Sequence, residues 1–182
     1  PIILYHKETD SLVTLDGLGV WPELASIDYF REHHGGALPE GILRSVTPGA
    51  PDSWLTALEK VGTLTLGERL EPAWQLTTGI PVSAGVAESL RSWEDRQELL
   101  NDAALDIFFP GGRALEPGQE LIQEELAQVF RALMDEEAAA RRQGLEREEA
   151  LRRARDLVYK GWIAEKLSRY HEEHGGLMRE SD

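Results

Sequence analysis

Cysteine is absent from the sequence. Its absence excludes disulfides, thiolate metal sites and a cysteine nucleophile, and it leaves the compartment open. Positive charge is also scarce: 19 Lys and Arg stand against 33 Asp and Glu, a formal net charge of -14. A field of that sign repels phosphate backbones and anionic lipid surfaces, so neither nucleic acid nor a membrane is expected as a partner. No apolar run approaches the ~20 residues that a membrane-crossing helix needs, and no basic region precedes the first apolar residues. The chain opens on Pro1-Ile2-Ile3-Leu4-Tyr5 with no methionine. It is therefore expected to be an internal stretch of a longer protein, any leader of which would lie outside it.

What is present suits a folded core. With 182 residues, 41% of them hydrophobic, the chain has the size of one ordinary domain or a part of a larger one. Residues 2–5 and 12–15 are short aliphatic and β-branched runs around a polar stretch, which predicts a β-hairpin. Two strands alone are marginal in water, so the hairpin is expected to join a sheet supplied by sequence outside this chain. Gly17-Leu18-Gly19-Val20-Trp21-Pro22 then breaks the strand pattern, since glycine permits positive φ and proline disfavours helix before it.

From there the signals are helical. Pro22 suits the first position of a helix reaching about residue 33, with Gly35-Gly36 to end it. Trp54, Leu55, Leu58 and Val61 share a face of a second helix stopped by Gly62. Thr65 and Glu68 have capping-box spacing, residues 72–78 read as a separate short helix, and Ser83 can cap a helix that buries Val86, Leu90 and Trp93. Phe108-Phe109-Pro110-Gly111-Gly112-Arg113 predicts a turn. Leu121, Ile122, Leu126, Val129, Phe130 and Leu133 predict an amphipathic helix over residues 119–135, and a final helix is expected over 145–174, capped by Gly175-Gly176.

Several residues invite a chemical reading and are better explained plainly. Ser45, Thr47 and Ser83 have no sequence-justified histidine and acid beside them, so capping or turn roles are expected. His33, His34, His171 and His174 with neighbouring glutamates lack a convergent third ligand and read as solvated helix ends, so no metal and no other cofactor is assigned. The arginines at 141, 142, 147, 152, 153 and 155 alternate with acids, which predicts a solvated helical face held by i,i+4 pairs. Five tryptophans fall mainly at core spacing.

Three stretches, in order, resemble the large subunit of the gamma-glutamyltranspeptidases, which are N-terminal nucleophile hydrolases. The first runs from Leu4-Tyr5-His6-Lys7-Glu8-Thr9-Asp10 through Leu15-Asp16-Gly17-Leu18-Gly19-Val20-Trp21-Pro22. The second is Ser45-Val46-Thr47-Pro48-Gly49-Ala50-Pro51-Asp52-Ser53-Trp54, continued by Gly62-Thr63-Leu64, Leu70-Glu71-Pro72-Ala73 and Ile80-Pro81-Val82-Ser83. The third joins Gly112-Arg113-Ala114-Leu115-Glu116-Pro117-Gly118 and Glu125-Leu126-Ala127 to Tyr159-Lys160-Gly161-Trp162-Ile163-Ala164-Glu165 and Gly175-Gly176-Leu177.

The resemblance implies an α+β fold: a largely helical fragment with an N-terminal hairpin, belonging to an αββα sandwich. It implies that residues 1–182 are part of a large subunit, with 1–22 as sheet hairpin and loop and 23–182 as the helical region. The implied activity is that of a self-processing amidohydrolase or acyltransferase acting on gamma-glutamyl amides of the glutathione type. Its catalytic threonine would begin a small subunit cut from the same precursor, its own α-amino group serving as base, so no catalytic residue is expected in this chain.

Gly17, Leu18, Gly19 and Trp21 are the candidate substrate-binding residues. In the family an arginine aligned with Leu18 grips the α-carboxylate of the glutamyl group, and leucine offers no such fork. An acylase of the same superfamily that takes a different amide is therefore a second expectation, and a non-catalytic helical interaction domain a third. A second departure is the charged segment 136–156, which reads as an insertion.

Overall fold

In the computed structural model, which describes residues 1–182, the hairpin is formed by β1 (Ile2–His6) and β2 (Ser11–Leu15). They run antiparallel with Ile2 opposite Leu15 and His6 opposite Ser11. Asp10 closes the turn at φ 47°, a left-handed conformation that aspartate tolerates, and its carboxylate accepts the Tyr5 hydroxyl at 3.0 Å. The helices are α1 (Ile27–His34), α2 (Ala50–Val61), α3 (Leu66–Thr77), α4 (Ala84–Arg91), α5 (Asp102–Phe108), α6 (Glu124–Arg142), α7 (Arg147–Tyr159) and α8 (Trp162–Glu173). A second two-stranded ladder pairs β3 (Ile80–Pro81) with β4 (Glu120–Leu121). The fold is α+β and mostly helical.

Contacts divide the chain into one unit of residues 1–67 and 133–182 and another of residues 68–132. In the first, α7 packs on both α2 and α8. Its core is built from Leu55, Leu133, Met134, Ala140, Ala150, Leu151, Ala154 and Val158, with Leu151 fully enclosed. Four of these lie inside the charged segment 136–156, which makes that segment central to the unit's packing. The small alanines at 140, 150 and 154 have no exposed surface at all, and side chains of that size let helix backbones approach closely.

Two of the arginines expected on a solvated face, Arg147 and Arg155, instead tie helices together, while Arg141, Arg142 and Arg152 stay exposed. Arg147 donates to the carbonyls of Leu58 (2.6 Å), Glu59 (3.2 Å) and Leu64 (3.3 Å), satisfying the open C-terminal end of α2. Arg155 reaches Glu59 at 3.0 Å and the Thr56 hydroxyl at 3.2 Å. Only Arg152, paired with Glu149 one turn earlier, follows the same-helix pattern. Glu137, almost fully buried, accepts the Leu66 N–H at 2.9 Å and so closes the start of α3.

Helix boundaries differ from expectation in four places. The α1 helix starts at Ile27, because Ser26 is a better cap than Pro22: its hydroxyl accepts the Tyr29 N–H at 3.1 Å, while Pro22 opens a turn closed by Ala25 N–H at 2.8 Å. Pro72 lies inside α3 and starts no new helix. The α6 helix begins five residues later than predicted, since Glu120 and Leu121 pair with β3, and runs on to Arg142. The last helix is two: Gly161 passes so close to Leu157 that a Cβ there would lie 2.9 Å from the Leu157 Cα, and the chain bends at that point.

Within residues 68–132, Val82, Ala87 and Leu115 are buried, with Leu90 and Leu121 packed on them. Ser83 caps α4 through the Val86 N–H (3.3 Å), but Val86 and Trp93 stay exposed, so Ala87 and Leu90 are the buried face. The tryptophans are less buried than their spacing suggests. Trp21, Trp54 and Trp93 are exposed, and Trp74 lies half-buried under the Arg131 guanidinium, 4.0 Å from the ring centre.

Candidate functional site

The loop between β2 and α1 is held by contacts that only glycine allows. Gly19 sits at φ +87°, and a Cβ on it would collide with the Thr47 carbonyl oxygen. A Cβ on Gly17 would strike the Ser53 hydroxyl, and one on Gly49 would lie 2.5 Å from the Gly19 nitrogen. Gly17, Gly19 and Gly49 thus bring the loop backbone directly against the turn that starts α2. The Thr47 N–H donates to the Val20 carbonyl at 2.8 Å, and the Asp16 carboxylate accepts the Leu18 N–H at 3.1 Å.

That turn is anchored in its own right. Tyr159 donates its hydroxyl to the Pro48 carbonyl at 2.6 Å and accepts the Asp52 N–H at 3.0 Å. Burial raises the Tyr159 pKa, with the Asp52 carboxylate adding to the rise, so the phenol keeps the proton it donates. Arg155 Nε lies 2.9 Å from Asp52 Oδ1, an ion pair without an aligned N–H bond. The Thr47 hydroxyl is shielded from solvent and has no partner.

Of the four residues expected at a substrate site, two are structural and two present side chains. Gly17 and Gly19 make the close approach. Leu18 is 69% exposed and Trp21 47% exposed, with Val20 between them at 65%. Two clefts border the loop. One, about 450 Å³, takes in Gly19, Val20, Thr47, Tyr159 and Lys160; the other, about 460 Å³, is lined by Trp21, Ile27, Phe30, Arg31 and Leu38. Leu18 lines neither and is open to solvent. Thr47, Gly49, Ser53 and Tyr159 all lay in the stretches that resemble the family, but none was expected at the substrate site, and Thr47 was read as a capping or turn residue. The signal was a third glycine, distant in sequence, whose partner glycines no spacing rule connects.

The histidines do not gather. His33 stacks on Tyr29 and His174 on Tyr170, while His171, expected at a solvated end, is buried, its Nδ1 accepting the Met178 N–H at 3.4 Å. Burial lowers the His171 pKa below its ordinary value, and the nearby Arg179 lowers it further.

The family model of gamma-glutamyltranspeptidase matches residues 2–182. Glutathione hydrolase proenzyme of Bacillus subtilis (strain 168) is 27% identical over 187 residues, covering 100% of this chain and 29% of its own length. Acylase ACY 1 proenzyme of Pseudomonas sp. (strain SE83) is 28% identical over 144 residues, covering 78% of this chain and 22% of its own. Among solved structures, gamma-glutamyltranspeptidase of Helicobacter pylori superposes with a TM-score of 0.81 at 22% identity, over 100% of this chain and 48% of that one. The chain therefore spans under a third of the length of these curated relatives.

Proposed function

The chain belongs to the gamma-glutamyltranspeptidase family, and from that premise we propose that it is large-subunit scaffold, forming one wall of the acyl-donor site of a self-processing amide hydrolase or acyltransferase. The catalytic threonine comes from a small subunit cut from the same precursor. Its hydroxyl attacks the amide carbonyl while its α-amino group takes the proton; the amine then leaves and the acyl ester passes to water or to an acceptor amine. This chain contributes no reacting group. The observation that carries the reading is the glycine-only approach of residues 17, 19 and 49, which holds Leu18, Val20 and Trp21 outward on a fixed backbone.

Glutathione-type gamma-glutamyl amides are the first substrate class, as the glutathione hydrolase relatives support. Leu18 supports a second: an acyl group without a carboxylate to be gripped at this point, in keeping with relatives named acylase. An exposed leucine offers contact to apolar surface and no charge-assisted bond.

Expressing the full-length precursor tests both. Two polypeptides on a denaturing gel and turnover of an amide panel are expected; an uncleaved, inactive protein would sink the enzyme reading. Leu18→Arg in the processed enzyme is expected to favour gamma-glutamyl anilide over a simple acyl anilide by about tenfold in kcat/KM, the worth of one charge-assisted bond. An unchanged ratio removes Leu18 from the site.

A further inference from the structure

The entry to the candidate loop is fixed by glycine packing, and its exit is fixed by a residue from the far end of the sequence. Immediately after Pro22, the Glu23 N–H donates to Asp182 Oδ1 at 2.8 Å, across 159 positions. The other carboxylate oxygen, Oδ2, accepts the Arg179 N–H at 2.7 Å, so both oxygens are committed to backbone donors. A carboxylate in that arrangement makes charge-assisted bonds, stronger than those between neutral groups.

Residues 175–182 are themselves anchored. Leu177 and Met178 are buried, and Gly176 lies so near the His171 ring that a Cβ would overlap it. Arg179 donates to the carbonyls of Gly176 (3.1 Å) and Met178 (2.7 Å) and pairs with Glu172 at 3.4 Å. The Asp182 carboxylate is therefore presented to Glu23 from a segment bound to α8, and Pro22 beside it is buried. Between the two fixed points stand the exposed Leu18, Val20 and Trp21. Without the second point, the stretch from Val20 to Leu24 would keep the Thr47 bond and two short-range bonds, from Ala25 N–H to the Pro22 carbonyl and from Ser26 N–H to the Leu24 carbonyl.

We propose that Asp182 is a positioning residue for the acyl-donor wall: its carboxylate, through the Glu23 N–H, sets where Val20 and Trp21 face the substrate. The proposal rests on the reading of this loop as substrate wall. It assigns Asp182 no contact with the reacting atoms, so its loss weakens donor binding more than turnover.

The test uses the full-length, self-cleaved enzyme. Glu23 occupies the second position of the turn Pro22-Glu23-Leu24-Ala25, where proline is well accepted, so Glu23→Pro deletes the donor and leaves the Asp182–Arg179 bond in place. Asp182→Ala removes the acceptor, and Asp182→Asn restores one oxygen. Hydrogen exchange at Leu18, Gly19, Val20, Trp21 and Leu24 is expected to quicken by about tenfold or more in the first two variants. KM for the preferred amide is expected to rise by about three- to tenfold with kcat within about twofold, and Asp182→Asn to fall between. Unchanged exchange in Glu23→Pro overturns the latch. Faster exchange with unchanged KM overturns the positioning role when Leu18→Arg shifts selectivity on the same panel. If Leu18→Arg is silent as well, the wall reading fails and this proposal falls with it. Should Asp182→Ala fail to self-cleave, Glu23→Pro decides the matter.

Discussion

Replacing Gly19 by alanine puts the geometry of the loop to a direct test. Its φ of +87° is left-handed, and alanine held there costs about 1–2 kcal/mol. The added methyl would also meet the Thr47 carbonyl oxygen, a backbone atom that cannot swing aside as a side chain could. The loop and the turn must separate, and the 2.8 Å bond from Thr47 N–H to the Val20 carbonyl is lost, which costs about 0.5–1.5 kcal/mol more. The expected destabilisation is thus about 2–3 kcal/mol, read as a lower urea midpoint for the full-length protein. Gly85 is the control: it lies in the first turn of α4 with open space around it, and Gly85→Ala is expected to be neutral or to stabilise by up to about 1 kcal/mol. A Gly19→Ala midpoint equal to wild type would refute the close approach, as would equal losses at the two glycines.

Two further substitutions follow from the packing of α7 and α8. Arg147→Lys keeps the charge but cannot span the carbonyls of Leu58, Glu59 and Leu64 with a single ammonium; a loss of about 1–2 kcal/mol in urea unfolding is expected, and full retention would show the fork to be dispensable. For His171 the sign follows from its lowered folded pKa. As pH falls through the ordinary value near 6.5, the unfolded chain binds a proton that the folded one resists, so stability declines until the folded pKa is passed. Protonation at Nδ1 would also turn a donor toward the Met178 N–H. Thermal melting between pH 7.5 and 5.5 should therefore show a steeper drop for wild type than for His171→Gln; parallel slopes would remove His171 as the cause.

Local signals in the sequence carried the hairpin, the α2 helix, the Ser83 cap and the glycine stop after α1, each of which depends on neighbours within a turn or two. What depended on distant partners was not legible. Residues 120 and 121 fit the helical period of α6, but a strand forty residues earlier claims them. The alternation of acids and arginines over 136–156 matched a solvated face because periodicity counts charge without knowing what faces it. In the fold, Arg147 and Arg155 turn to α2, and the alanines between them form the core. Tryptophan spacing misled for the opposite reason: helical period marks a face without saying that anything covers it. At the candidate site, residues 17–21 were readable as a loop with positive-φ glycines, yet the match to Gly49 and the bond to Asp182 join positions 30 and more than 150 residues apart.

Within the loop, backbone and side chains answer to different constraints. Gly19 and Gly49 are fixed by backbone contact, so any larger residue there must move the chain, while a larger residue at Gly17 would meet the Ser53 side chain. Leu18 lies between two of them, 69% exposed, its N–H satisfied by Asp16 and its side chain free of packing demands. Surface positions of this kind accept substitution with little effect on stability. The backbone that places residue 18 is thus independent of the side chain placed there, and an arginine or a leucine can occupy this exposed position without altering the fold. A single substitution at residue 18 can therefore change what this surface presents and leave the glycine contacts intact.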